Sequence, residues 1–196
     1  MIIDAHAHWL PEEIISNAHF FHKGWNDIEG QIKMMAESGI SKAVLSYPTS
    51  DAHLKLGSLE NVARIFNDNV AQIIKRYPDK FIGAAVLPVG DSTKMLEELK
   101  RSRDLGFKAI SLASSYNGVY LDDPMFLPIY KQAANENIPI FVHSQIVNPI
   151  GFERVQDPLL TPVIEYVFDT TICIGKLLMA DILREYSETK FIFAAF

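Results

Sequence analysis

Short runs of β-branched and aromatic residues recur along this chain roughly every 30 residues, each followed by a longer stretch with helical apolar spacing. Parallel strands cannot be joined by tight turns, so each must return through a crossover, usually a helix. The first strand is expected over Met1–His8, whose pleat places Ile2, Asp4, His6 and His8 on one face. Ile28–Ser38 has helical spacing and stops at Gly39. Lys42–Tyr47 reads as a second strand, halted by Pro48. Ser58 caps a helix carrying Val62, Ile65, Phe66, Val70, Ile73 and Ile74, and Pro78 ends it.

The pattern continues with a third strand over Phe81–Leu87, a helix over Asp91–Arg103 and a fourth strand over Lys108–Ala113. Asp122, Asp123 and Pro124 mark the start of a helix through Phe126, Ile129, Tyr130 and Ala133, because proline suits the first helical turn. Pro139–His143 is the fifth strand. A long helical region from Leu159 to Tyr186 is expected to break near Gly175, and Phe191–Phe196 is the sixth strand. No linker or low-complexity tract divides the chain, which reads as one domain over residues 1–196. The fold expected is α/β, a (β/α)8 TIM-barrel type, incomplete, with about six βα units present. An open doubly wound sheet is the competing architecture.

His6-Ala7-His8 is the feature that carries chemistry. Residues two apart on a strand point the same way, so both imidazoles leave one face. Imidazole suits zinc and other borderline divalent metals. His143 ends the fifth strand, and barrel active sites are built at the C-terminal ends of strands. Three histidines hold a metal while leaving a coordination position open.

The segments MIIDAHAH, GFKAISLASSYNG and LDDPMFLPIYKQAANENIPIFVH resemble the amidohydrolase-related group that includes aminocarboxymuconate-semialdehyde decarboxylase and resorcylate-type decarboxylases. The resemblance runs over essentially the whole chain. It implies a barrel with a single divalent metal, zinc first and manganese as the alternative, held by His6, His8 and His143. It implies a small carboxylated substrate, aromatic or unsaturated, and nonoxidative decarboxylation or hydrolysis. The resemblance favours decarboxylation, and the residues themselves do not choose. The group also carries a histidine at the end of strand six and an aspartate at the end of strand eight. Here Ala195 stands at the first position, and the strand pattern stops at six. No catalytic acid or base is therefore identified. The alternative reading is a catalytically inactive, truncated barrel persisting as an oligomeric or binding scaffold.

For substrate contacts, the residues put forward are Trp9 after the first strand, Tyr116 and Asn117 after the fourth, and Arg154 after the fifth, a cation suited to a carboxylate. Ser114 and Ser115 precede them and either line the pocket or form a plain turn at Asn117-Gly118. Trp9, Phe20, Phe21 and Trp25 form either an aromatic wall for a planar substrate or a loop packed on the barrel rim. His19, His22 and His53 read as solvated loop residues. Asp4 is expected to be structural, and Cys173 to lie in the core.

The charge balance bounds the partners. A net charge of −6 with scattered Lys and Arg argues against nucleic acid. The single cysteine excludes an intrachain disulfide. No signal peptide or membrane-length apolar run is visible, so a cytoplasmic protein with no membrane partner is expected. Unpaired edges on the first and sixth strands are expected to drive homo-oligomer formation.

Overall fold

In a computed structural model the structure describes residues 1–18, 21, 23–49, 56–155 and 157–194. The readings placed on His19, Phe20, His22, His53 and Ala195 lie outside the described residues. Six parallel strands form one sheet in sequential order: β1 Ile3–Ala7, β2 Lys42–Leu45, β3 Phe81–Val86, β4 Ala109–Ala113, β5 Ile140–His143 and β6 Phe191–Phe193. The crossovers carry α1 Ile28–Glu37, α2 Leu59–Arg76, α3 Ser92–Asp104, α4 Leu127–Glu136 and α5 Tyr166–Met179. Sequential order fits a barrel wall, whereas a doubly wound sheet reverses its strand order.

The sheet is curled. In a flat sheet, four strand spacings of ~4.8 Å would hold β1 and β5 ~19 Å apart. The His6 and His143 rings, one at the end of each strand, have centroids 5.0 Å apart. The concave side is narrow and takes small residues: Val44, Ala84 and Ala109 pack there with Ile82 and Phe141. The larger apolar residues lie between the convex side and the helices in two clusters, one centred on α2 and one on α4 and α5.

Local chemistry sets the helix starts. The side chains of Asp27, Ser58 and Asp91 each accept a hydrogen bond from a main-chain N–H in the first turn of α1, α2 and α3. Asp123 does the same for the short 3-10 turn Pro124–Phe126 ahead of α4. Asn137 takes the left-handed conformation that closes α4, with φ 53°. Gly83 lies where β3 meets the ring of Phe107, and a Cβ there would stand 2.7 Å from Phe107 Cδ1. Only glycine fits that approach.

Three expectations need correction. The first strand is shorter than Met1–His8 and its register with β2 shifts between Asp4 and Ala7, so His8 sits just beyond it. The region after Leu159 is not a helix broken near Gly175. It opens with a π-helical turn, Thr161–Glu165, and α5 then runs unbroken through Gly175 to Met179. Gly175 faces open space while Cys173 and Leu177 on either side are fully buried, so packing holds the helix straight through the glycine. The left-handed Asp181, φ 63°, makes the actual break. Finally, Asn117-Gly118 is more than a plain turn: both residues have positive φ and join Ser115–Tyr116 to Val119–Tyr120 in an antiparallel hairpin.

Candidate metal centre

His6 near the end of β1, His8 just beyond it and His143 at the end of β5 converge at the C-terminal mouth of the curled sheet. Their ring centroids are 4.9, 5.0 and 5.0 Å apart, almost an equilateral triangle. One ring nitrogen from each lies within 4.8 Å of the others. His6 Nε2 and His8 Nε2 are 3.1 Å apart. Two ligand nitrogens ~2.1 Å from one metal at near-tetrahedral angles stand ~3.4 Å apart, so the spacing fits a shared cation.

The remaining ring nitrogens of two of them are held by main chain. His8 Nδ1 donates to the carbonyl oxygen of Ser46 at 3.0 Å, and His143 Nδ1 donates to that of Ser144 at 2.8 Å. Each bond fixes the tautomer that leaves the Nε2 lone pair free for a metal. Burial and the neighbouring imidazoles push His8 down to about 3, against the Ser46 bond. Burial pushes His143 down to about 4. His6 is lowered by burial too, opposed by the nearby Asp4 carboxylate. All three are neutral at pH 7, the form a metal requires. On these grounds the residues fit a divalent metal.

Around the triad, Asp4 Oδ1 accepts from the main-chain N–H of His6 at 2.9 Å and so shapes the end of β1. Trp25 packs on His8 with centroids 5.1 Å apart and is backed by Phe21, which meets Tyr47. Of the two aromatic readings, the packed rim is the one these contacts describe. A cavity of about 260 Å³ opens beside the histidines, lined by His6, Ser46, Ser111, Phe141, His143 and Phe193 among others. A wider groove of about 640 Å³ lies by the N-terminal ends of β2 and β3 and contains none of the histidines.

Trp9, Tyr116, Asn117 and Arg154 are not among the residues lining the histidine cavity. The Trp9 indole is buried and donates to the carbonyl of Asn26 at 3.0 Å. Tyr116 folds back so that its hydroxyl accepts from Ala113 N at 2.9 Å, and Asn117 is exposed at the hairpin tip. Arg154 lies on the short helix Phe152–Val155 beside a separate depression, with no ion pair among the described residues.

Sequence reasoning missed the group that holds the mouth together. Asp169 on α5 is buried and its carboxylate accepts from the hydroxyls of Ser114, Ser115 and Tyr120 and from the main-chain N–H of Ile150. Next to it, Thr170 bonds Ser144, the residue after His143. Asp169 and Thr170 stand four and three residues before buried Cys173, and that i, i+4 spacing was the available signal. Ser46 and Ser111 were also missed, although strand parity places both on the concave face. Cys173 lies in the core as expected, its thiol pushed up to about 12 by burial.

Comparison with known proteins gives the family and the fold. The family model for Amidohydrolase matches residues 3–194, and the chain belongs to that family. It is 27% identical over 135 residues to 2-amino-3-carboxymuconate-6-semialdehyde decarboxylase of Dictyostelium discoideum, covering 68% of this chain and 37% of that protein. It is 27% identical over 205 residues to gamma-resorcylate decarboxylase of Rhizobium sp. strain MTP-10005, covering 93% and 62%. Among solved structures, dihydroxybenzoic acid decarboxylase from Polaromonas sp. JS666, with bound manganese and the inhibitor 2-nitroresorcinol, superposes with a TM-score of 0.79 at 20% identity. That match covers 98% of this chain and 64% of the solved one. The chain thus spans between about a third and two thirds of the length of these relatives. Among the described residues, no helix is long and apolar enough to cross a membrane.

Proposed function

We propose that this chain carries the histidine metal site of a nonoxidative decarboxylase or hydrolase acting on a small carboxylated compound, aromatic or unsaturated. The observation that carries the reading is the triad of His6, His8 and His143 within 4.8 Å, with two of its rings oriented by main-chain carbonyls. One divalent ion, zinc first or manganese, would be held there by the three imidazoles. Such an ion supplies Lewis acidity toward a substrate oxygen or activation of water.

The chain's own residues bind and orient. Phe141 and Phe193 give the cavity apolar walls suited to a planar compound, and the Ser46 and Ser111 hydroxyls offer hydrogen bonds to its polar edge. Arg154 is carried forward as the cation for a carboxylate, and Trp9, Tyr116 and Asn117 as substrate contacts, although none of the four lines the histidine cavity. Manganese in one relative and the names of the decarboxylases support the metal and the substrate class. A cytoplasmic location is part of the same proposal.

A second reading is a binding or oligomeric scaffold without turnover, associating through the outer edges of β1 and β6. It is favoured by the cavity lining: beyond the histidines, the described lining residues offer only serine hydroxyls for proton transfer. Elemental analysis of the purified protein, with the His6→Ala and His143→Ala variants, tests the site. Near-stoichiometric zinc or manganese, lost in both variants, is expected. Little metal in the parent chain would sink the enzyme reading. Turnover of 2,6-dihydroxybenzoate by metal-loaded protein then separates the two readings.

A further inference from the structure

The groove of about 640 Å³ at the N-terminal ends of β2 and β3 lies between the last turn of α2 and the turn that joins α3 to β4. Ile74, Phe81, Ile82 and Leu105 give it an apolar bed. Ile74 and Phe81 are buried, whereas Leu105 is 39% exposed and belongs to the open wall. The turn comes down closely on the helix, since a Cβ on Gly106 would stand 3.7 Å from Ile74 Cδ1.

Three lysines rim this bed. Lys42 opens β2, Lys75 lies in the last turn of α2, and Lys108 immediately precedes β4. Lys42 Nζ donates to the Pro78 carbonyl at 3.5 Å. The ammonium groups of Lys75 and Lys108 have no ion pair among the described residues. Asp68, the carboxylate in the lining, is paired with Arg101, and Asp79 and Asp104 do not line the groove. A basic rim stands out on a chain of net charge −6. Cations complement the negative end of a helix, and that accounts for Lys75 beside Arg76. It does not account for Lys42 and Lys108, which stand at strand starts.

We propose that this groove binds a medium-chain carboxylate, with the chain on the apolar bed and the head group between Lys75 and Lys108. The volume and the mostly apolar lining with a few polar groups are those of small-molecule sites. Ile74, Ile82 and Leu105 are aliphatic and the one ring, Phe81, is buried, so the bed suits a flexible alkyl chain rather than a stacked aromatic ring. One negative charge fits better than two. The C-terminal ends of α2 and α3 flank the groove and oppose added negative charge, and lysine offers a point charge rather than the fork with which arginine grips a phosphate. The groove contains none of the three histidines, so binding there needs no metal.

Isothermal titration of the full chain with decanoate, kept below its micelle concentration, tests this. Saturable binding of one decanoate per chain is expected, with a dissociation constant on the order of 100 μM. Octanoate, with two fewer methylenes to bury, is expected to bind about tenfold more weakly. Decyltrimethylammonium, with the same chain and the opposite charge, is expected not to bind. Lys75→Gln combined with Lys108→Gln changes two exposed side chains and is expected to weaken decanoate binding about tenfold with unchanged circular dichroism. In carbon-13 methyl spectra, decanoate is expected to shift Ile74, Ile82 and Leu105 while leaving Val142 and Ile192, in the lining of the histidine cavity, in place. No saturable binding by about 1 mM, a double variant that binds like the parent, or equal binding of the ammonium compound overturns the proposal. So do tighter binding of decyl phosphate than of decanoate, and shifts at Val142 in place of Ile74, which would put the carboxylate at the histidines.

Discussion

His8 and Ser46 meet through main chain: the imidazole Nδ1 donates to the Ser46 carbonyl oxygen at 3.0 Å, while the Ser46 hydroxyl stands farther off at 3.5 Å. The carbonyl belongs to the segment leaving β2, so the backbone path of that strand sets the ring's orientation. Ser46→Ala keeps this bond and is expected to leave metal affinity within about threefold, whereas loss of a side-chain partner to a ligating histidine typically lowers affinity about 10- to 100-fold. Competition with a chromophoric zinc chelator measures both this variant and His8→Ala, which is expected to lose the site.

Acid is expected to destabilise the metal-free protein through the same residues. His8 and His143 titrate in the fold at about 3 and about 4, below the ordinary histidine value of 6.5. Below pH 6.5 the unfolded chain therefore takes up protons that the folded chain refuses. The stability contributed by the neutral rings is complete above 6.5 and falls away as the pH drops toward 4 and then 3. Urea unfolding midpoints of chelator-treated protein from pH 7.5 to 4.5 should decline, and the decline should be shallower in His8→Phe. A parallel decline in that variant would place the titration elsewhere.

Asn67 on α2 joins helix to strand. It is fully buried, its amide donates to the Val86 carbonyl and to Glu98, and its oxygen accepts from Val86 N–H at 3.0 Å. Glu98 is itself buried and also paired with Arg101. Asn67→Leu leaves the Val86 N–H and one Glu98 contact unmet, and is expected to lower unfolding stability by about 2–4 kcal/mol. Chemical denaturation checks it, and a change under about 0.5 kcal/mol, the scale of surface substitutions, would contradict the buried network.

Gly83→Ala places a methyl against the Phe107 ring, which is itself buried. The expected loss is about 1–3 kcal/mol from overpacking. Phe107→Leu in the same chain should recover part of it, because a smaller side chain yields the space. A double variant less stable than the sum of the two single effects would refute the contact.

Most of the strand and helix order was legible because apolar periodicity reports which face is buried, and here every β-α unit has an inner and an outer face. His6 and His8 were legible from pleat parity, and His143 from its place at the end of an apolar run. Asp169 and Thr170 were not, since polar residues on an otherwise apolar helix read as solvent-facing until the partner strands are placed. The π-helical turn at Thr161–Glu165 escaped for a related reason: one extra residue per turn leaves the composition of an apolar segment unchanged. Tyr116 pointed toward the pocket by position, yet its hydroxyl is held by Ala113 N–H, a choice made by hairpin geometry that pattern alone does not carry.

The carboxylate of Asp169 reaches back 55 residues to Ser114 and 54 to Ser115. Closing loops of that length carries an entropy penalty that short-range contacts within the earlier β-α units do not meet. Those units are therefore expected to assemble first, and the rim beside His143 only once α5 docks. In hydrogen exchange, the Ser114 and Gln145 amides should open with α5 as one cooperative unit, ahead of the β2–β4 amides. The mouth of the barrel would thus be the last part of the protein to form and the first to come undone.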